Sequence, residues 1–203
     1  PVALNEDDLT LEDVVDLKLI DADSIILKIA EWVYRMCLIK GDRVTPISPG
    51  YVETLSEKYW VNKNRIHVVR GGVDLSVFKP CVSKPRSGKK FVVLYSGAFS
   101  VAYDFEQVFR AAKIVEEVDG DVEFVFQGKG ELGRAMESQI RGLDLKNVRL
   151  IDRVISREEV AELLNQADVL VLPLVEFKKP YRGMSSKLYE YQAVGKPIIC
   201  CSK

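Results

Sequence analysis

The sequence predicts an α/β fold in which a parallel β-sheet carries helices on both faces. From residue 91 onwards, short apolar segments alternate with amphipathic helical segments. Two of the apolar segments, Asp168–Leu172 and Pro197–Cys201, are almost continuously hydrophobic, which is typical of strands buried on both faces. Strands that alternate with helices in this way form parallel sheets, because the helices cover the sheet faces.

The first part of the chain predicts elements of a separate domain. Residues 1 to about 22 are acidic and mildly amphipathic, and apolar residues then recur at helical spacing between Ile25 and Met36. Ser48-Pro49 is typical of a helix start, with serine as N-cap and proline at the first helical position, and we expect this helix to reach Trp60. Further patterns predict strands over 43–48 and 65–70 and a turn over 71–74.

The second part predicts a complete alternation of strands and helices. We expect strands over 91–96, 122–127 and 148–151, and helices over 105–118 and 132–141. Ser156 and Glu159 form a capping box that begins a helix ending at Gln166, with Val160, Leu163 and Leu164 as its buried stripe. The polar, proline-containing segment 79–90 is the predicted linker between domains 1–78 and 91–203.

Composition excludes several classes of protein. The 203 residues are 47% hydrophobic and 29% charged, with a formal net charge of −1, so the chain has no electrostatic footprint for nucleic acid. No apolar run approaches the roughly 20 residues of a membrane-spanning helix. The four cysteines lack paired CxxC spacing and His67 is the single histidine, so we predict no metal site and interpret the cysteines as reduced thiols of a cytoplasmic protein.

Three glycine- or serine-containing loops fall at the carboxyl ends of predicted strands, where α/β sheets bind their ligands. These loops are Ser96–Ser100, Gly128–Gly130 and Gly183–Ser186. The last one begins a helix with Lys187 and Glu190 in its first turn. Unpaired N–H groups at a helix start attract phosphate, and an acidic side chain one turn later suits ribose hydroxyls. The alternative interpretation is a solvated Lys–Glu pair on a helix surface.

Several motifs resemble those of one enzyme family. Three segments are similar to a strand, a helix start and an interdomain junction of that family. They are Ile47-Ser48-Pro49-Gly50-Tyr51, Val69-Arg70-Gly71-Gly72-Val73-Asp74 and Phe78-Lys79-Pro80. The most specific segment, Ser186 to Pro197, reads S-K-L-Y-E-Y-Q-A-V-G-K-P. These motifs resemble those of the retaining GT-B glycosyltransferases of family 4, also called group 1.

The resemblance implies a Rossmann-like GT-B C-terminal domain, preceded by a fragment of the N-terminal Rossmann-like domain. It implies a retaining, hexosyltransferase-type enzyme that moves a sugar from a nucleotide-diphosphate sugar to a saccharide or lipid-linked acceptor, without a metal or other cofactor. For the full-length cytoplasmic protein, we expect peripheral association at the inner face of the membrane. The implied donor-binding residues are Gly97, Gly128, Val154, Arg182, Ser185, Ser186, Lys187 and Glu190, and the catalytic residues are not identified.

Two positions depart from the family pattern. Arg182 stands where a first glutamate is common, and Ala98 follows Gly97 where the family often has cations for the diphosphate. We expect Lys187 and Arg182 to supply this charge. The non-enzymatic alternative is a nucleotide-binding or interaction module of similar fold, whereas a receiver-like signalling domain lacks the acidic cluster it would need.

The ends of the sequence suggest a piece of a longer protein, since it begins at Pro1 and ends directly after a predicted strand. We therefore expect this polypeptide alone to be inactive in sugar transfer, and we expect its exposed sheet edge to favour self-association.

Overall fold

The computed structural model describes residues 1–8, 10–81, 90–175 and 184–201. The chain divides into two compact units, and the division falls between Gly72 and Val73. The sequence places the boundary a few residues later, at residue 78. Most of the predicted linker lies outside the described residues.

The first unit contains a two-stranded parallel sheet, in which β1 (Ala3–Glu6) pairs with β2 (Arg43–Pro46). Its helices are α1 (Thr10–Asp16), α2 (Ile25–Lys40) and α3 (Tyr51–Glu57). Their contacts form a small core of buried residues, which are Leu38, Val44, Tyr51, Leu55, Tyr59 and Val61. The helix that begins at residue 25 and the strand that begins at residue 43 confirm the sequence predictions.

The first unit differs from the sequence predictions in three places. The sequence does not predict strand β1, because its four residues, Ala-Leu-Asn-Glu, are too few to show a clear hydrophobic pattern. Helix α3 begins at Tyr51 and ends at Glu57, and the Ser48 hydroxyl accepts a hydrogen bond from the Gly50 N–H group (3.2 Å) in the preceding turn. Segment 65–70 forms no strand: it makes one isolated bridge, between Ile66 and Val44 of β2, and it follows a 3₁₀ turn, Lys63–Arg65, that the Asn62 side chain caps.

The second unit is the predicted parallel α/β sheet. Its five strands lie in the order β5-β4-β3-β6-β7, and every neighbouring pair is parallel. The strands are β3 (Phe91–Ser96), β4 (Val122–Gly128), β5 (Val148–Asp152), β6 (Val169–Pro173) and β7 (Ile198–Cys201). The helices between them are α4 (Phe105–Val118), α5 (Gly133–Gly142), α6 (Arg157–Gln166) and α7 (Ser186–Ala193).

Helices cover both faces of this sheet. On one face, aromatic residues of β3, β4 and α4 pack with Met136 of α5, and the ring centroids of Phe109 and Phe126 lie 5.1 Å apart. On the other face, Leu94 and Leu170 are fully buried, and helices α6 and α7 pack against β3 and β6. Because successive strand residues point to opposite faces, burial on both sides requires near-continuous apolar strands.

Strand β7 is not buried on both faces, which corrects the sequence prediction. It lies at the edge of the described sheet, and the Ile199 side chain is 53% exposed. Cys200, which its place in an apolar strand predicts to be packed, is exposed as well. The buried stripe of α6 also differs, because Ala161, Leu164 and Asn165 are buried whereas Val160 and Leu163 are only partly covered.

No helix in the described part of the chain is both long enough and apolar enough to cross a membrane.

Candidate functional site

A cavity of about 360 Å³ opens at the carboxyl edge of the second unit's sheet. It lies where strands β3 and β4 end and where helices α6 and α7 begin. The residues that line it are Phe78, Ser96, Gly97, Ala98, Gln127, Gly128, Lys129, Val154, Ile155, Arg157, Val160, Ser186, Lys187 and Glu190. Three of these side chains are cationic and one, Glu190, is acidic, so the described lining favours an anionic ligand.

A buried hydrogen-bond network connects helix α7, through Tyr191, to the end of β3. The hydroxyl of fully buried Tyr191 accepts a hydrogen bond from the Ser96 N–H group (3.0 Å). The Ser96 hydroxyl donates to Gln127 Oε1 (2.6 Å), and Gln127 Nε2 donates to the Arg153 carbonyl (2.8 Å). Burial raises the pKa of Tyr191, which keeps this phenol protonated and able to donate. The network therefore connects α7 to three successive strand ends.

Two glycines allow the backbone and the Lys187 side chain to approach each other closely. Gly97 has φ of +152°, and a Cβ atom there would lie 1.7 Å from Lys187 Cε. A Cβ atom on Gly128 would lie 1.7 Å from the Gly97 carbonyl oxygen. Any larger residue at 97 would displace the lysine, and any larger residue at 128 would displace the backbone.

Lys187 is held among aromatic rings. Its Nζ atom donates a hydrogen bond to the Tyr103 hydroxyl (2.8 Å) and lies 4.6 Å from the Tyr103 ring centroid and 5.9 Å from that of Tyr95. Cation–π contacts stabilise an ammonium group without neutralising it. Among the described residues, no carboxylate forms an ion pair with Lys187. Its positive charge thus remains available to a ligand.

Glu190 follows Lys187 by three residues, or about 4.5 Å along the helix axis. Its side chain is half-buried in the cavity wall. Burial raises the pKa of the Glu190 carboxyl, although the positive charges of Arg157 and Lys187 act in the opposite direction. The Glu190 carboxyl is therefore partly desolvated, and the positive charges of Arg157 and Lys187 act on it.

Arg157, the first residue of α6, is a lining residue that the sequence analysis did not single out. Its Cζ atom lies 5.4 Å from the ring centroid of Phe78, which is itself 1% exposed. The capping box of Ser156 and Glu159 is confirmed, with both reciprocal hydrogen bonds present. That motif marks where the helix begins, but it does not show that the Arg157 side chain lines a cavity.

The structure brings six of the eight predicted donor-binding residues together around this cavity, namely Gly97, Gly128, Val154, Ser186, Lys187 and Glu190. Ser185 directly precedes α7 and does not line the cavity. Arg182 lies outside the described residues.

The second unit therefore belongs to the class of Rossmann-like domains, in which a ligand cavity lies beyond the carboxyl ends of parallel strands. Residues 90–203, more than half of the chain, match the family described as "Glycosyl transferases group 1". The chain belongs to the group 1 glycosyltransferases, and its fold is that of GT-B enzymes.

Two curated relatives are themselves glycosyltransferases. A 2-deoxystreptamine N-acetyl-D-glucosaminyltransferase of Niallia circulans is 30% identical over 112 residues, which are 55% of this chain and 27% of the relative. An MMP alpha-(1->4)-mannosyltransferase of Mycolicibacterium hassiacum is 26% identical over 153 residues, which are 75% of this chain and 35% of the relative. The chain thus spans about a third or less of the length of these relatives.

A solved structure shows the same fold. The Anabaena protein HepE in complex with UDP-glucose superposes with a TM-score of 0.71 at 14% identity, over 98% of this chain and 53% of HepE. At this level of identity, the likeness establishes the fold alone.

Proposed function

We propose that this cavity binds the nucleotide part of a nucleotide-diphosphate sugar. In this proposal the full-length protein transfers the sugar to a saccharide or lipid-linked acceptor, with retention of configuration. The observation that carries the proposal is the convergence of the α7 N-terminus, Lys187 and Glu190 on one cavity.

The diphosphate has a suitable environment at the start of α7. The first N–H groups of a helix have no intrahelical partners and carry the positive end of the helix dipole. Lys187 adds a full positive charge over the Gly97 backbone. As the bond to the sugar breaks, negative charge accumulates on the leaving diphosphate, and preorganised positive groups stabilise that charge. We propose that these groups act without a resident metal ion.

The ribose is assigned to Glu190. An ionised carboxylate accepts hydrogen bonds from two hydroxyl groups, which matches the 2′- and 3′-hydroxyls of a ribonucleotide. The short rise between Lys187 and Glu190 lets one helix contact the phosphate and the ribose of the same ligand. The UDP-glucose complex of HepE supports a nucleotide sugar as the ligand class.

A thermal-shift panel of UDP-, GDP-, ADP- and dTDP-sugars tests this proposal on the 203-residue chain. A ligand that binds only the folded state stabilises it by RT ln(1 + [L]/Kd), about 2.7 kcal/mol at a hundredfold excess over Kd. We expect at least one sugar nucleotide to raise Tm, equally with and without EDTA. No shift with any of them at millimolar concentration would contradict the proposal, and a shift abolished by EDTA would contradict its metal-free part.

The anomeric outcome is tested on the full-length enzyme. We expect NMR of the first-formed product to show the same anomeric configuration as the donor sugar, and an inverted product would contradict the assignment of retention.

Tyr103→Phe is expected to weaken binding of a nucleoside diphosphate by roughly two- to tenfold, because one neutral hydrogen bond contributes about 0.5–1.5 kcal/mol. The ring and its cation–π contact remain, and only the acceptor that positions Lys187 Nζ is lost. Calorimetry with the diphosphate and with the free nucleoside separates this effect from general damage, because the nucleoside should bind unchanged. Tyr34→Phe is the matched control, because Tyr34 lies in the first unit and this variant also loses one hydroxyl hydrogen bond, the one to the Glu6 carboxylate. Unchanged diphosphate affinity in Tyr103→Phe would show that the Tyr103 hydroxyl does not position Lys187 for the ligand.

A further inference from the structure

Tyr191 is a fully buried residue of α7 to which the proposed function gives no role. Its hydroxyl makes two hydrogen bonds with the backbone of Ser96, the last residue of β3. It accepts one from the Ser96 N–H group (3.0 Å) and donates one to the Ser96 carbonyl oxygen (3.3 Å). One side-chain group on the helix therefore bonds to both polar backbone groups of a single strand residue.

The Tyr191 hydroxyl occupies the place of a strand partner. Strand β3 pairs with β4 as far as Ser96, but its register with β6 ends at Leu94. In a parallel sheet alternate residues bond to the same neighbour, and the Val92 carbonyl accepts from Asp168, the residue before β6. The backbone groups of Ser96 thus point to the β6 side, beyond the end of that pairing. Loss of the hydroxyl would remove their bonds in a buried place, which is costly.

Lys187 lies one turn before Tyr191 on α7. The spacing of four residues places both side chains on one face of the helix, about 6 Å apart along its axis. This face meets two consecutive residues at the end of β3. Tyr191 bonds to Ser96, and the Lys187 side chain packs so closely over Gly97 that an added Cβ atom would lie 1.7 Å from Lys187 Cε. The bond at Ser96 therefore determines where α7 holds Lys187 over Gly97.

We propose that Tyr191 is a positioning residue, whose hydroxyl fixes α7 against the end of β3 so that Lys187 reaches the diphosphate. This inference rests on the proposed function, because it needs the diphosphate to bind at the start of α7. Tyr191 is fully buried and is not among the described residues that line the cavity, so it acts through Lys187 and does not contact the ligand.

Tyr191→Phe removes the hydroxyl and keeps the ring. Calorimetry of the 203-residue chain with UDP, GDP, ADP and dTDP, and with the matching nucleosides, measures the effect. We expect the variant to bind the tightest of these diphosphates roughly tenfold more weakly, the lower end of the range for loss of a charge-assisted hydrogen bond. Binding of the matching nucleoside should be unchanged. Equal weakening of both ligands, or of neither, would overturn the positioning role.

Asn147→Ala is the matched control for a lost buried hydrogen bond. The Asn147 Nδ2 atom donates to the Ala112 carbonyl (2.9 Å), and Asn147 directly precedes β5, at the amino edge of the same sheet. This variant should lower Tm and leave the affinity for diphosphate and nucleoside unchanged. A loss of diphosphate affinity as large as that of Tyr191→Phe would attribute both effects to stability and would overturn the inference.

A double-mutant cycle with Lys187→Ala tests whether Tyr191 acts through the lysine. If it does, Tyr191→Phe should change diphosphate affinity less than about twofold once residue 187 is alanine, because coupled residues are not additive. A merely structural role predicts the same weakening in both backgrounds, and that result would contradict the proposal.

Hydrogen exchange of the wild type gives a measurement that needs no stable variant. At equal saturation, diphosphate and nucleoside stabilise the whole fold equally. Because coupling between two sites is reciprocal, the diphosphate should slow exchange of the Ser96 N–H group more than the nucleoside does. The Phe124 N–H group, which donates to the Asn147 carbonyl (2.8 Å), should respond equally to both ligands.

The outcomes separate this inference from the proposed function. Equal responses of Ser96 to the two ligands would overturn the positioning role and leave the nucleotide site standing. If none of the four diphosphates binds the wild type, the proposed function fails, and the inference fails with it.

Discussion

Replacing Lys187 with alanine is expected to weaken binding of a nucleoside diphosphate by roughly ten- to a hundredfold, because a charge-assisted hydrogen bond contributes about 1.5–3 kcal/mol. The lysine carries its charge over Gly97 and is held there by Tyr103 and Tyr95. Calorimetry of the diphosphate and of the matching nucleoside should show that the loss is confined to the phosphorylated ligand.

The matched control is Lys90→Ala. Lys90 is exposed and directly precedes β3, so it lies at the amino edge of the sheet, away from the cavity. The control variant should bind both ligands as the wild type does. Equal weakening of nucleoside and diphosphate by Lys187→Ala would indicate a disturbed fold and would contradict a phosphate contact.

Replacing Glu190 with glutamine is expected to cost on the order of 1–3 kcal/mol in binding of a ribonucleotide, because glutamine offers one uncharged oxygen in place of a carboxylate. A 2′,3′-dideoxynucleotide should bind the wild type weakly and be nearly indifferent to the substitution. Calorimetry of both ligands with both proteins measures the effect of losing the ribose hydroxyls and the effect of the substitution, alone and together. If the two effects on the binding free energy are additive, Glu190 does not bind the ribose. Glu117→Gln, at an exposed position of α4, is the matched control.

The same assignment predicts a pH dependence. Burial raises the pKa of the Glu190 carboxyl, so protonation begins at a higher pH than for a solvated glutamate. The ionised form is the acceptor, so ribonucleotide affinity should be full above this raised pKa and should fall as the pH decreases through it. Glu190→Gln should lack this part of the profile. An identical profile in the variant would assign the titration to another group.

The second unit was largely predictable from the sequence because its local signals agree with its tertiary environment. Strand β3 and helix α4 have the predicted bounds, and the Asp104 side chain caps α4 by accepting from the Gln107 N–H group (3.2 Å). Strand β7 reads as apolar as β6, but its position at the sheet edge leaves half of it exposed. Position in a sheet depends on strand order, which hydrophobic pattern alone does not determine.

The candidate site was predictable where it depends on helix and strand ends. Lys187 and Glu190 could be placed because an i, i+3 pair at a helix start shares one face. Arg157 and Phe78 are far apart in sequence, and only the folded chain brings the guanidinium over the ring. The same holds for Tyr103, whose contact with Lys187 spans 84 positions.

We propose that the start of α7 binds the diphosphate of a nucleotide while Glu190 binds its ribose, and a crystal structure of this chain with a bound nucleoside diphosphate tests both assignments. We expect phosphate oxygens within hydrogen-bond distance of Lys187 Nζ and of the first N–H groups of α7, with both ribose hydroxyls on the Glu190 carboxylate. A nucleotide bound elsewhere, or bound in this cavity with its ribose turned away from Glu190, would contradict these assignments.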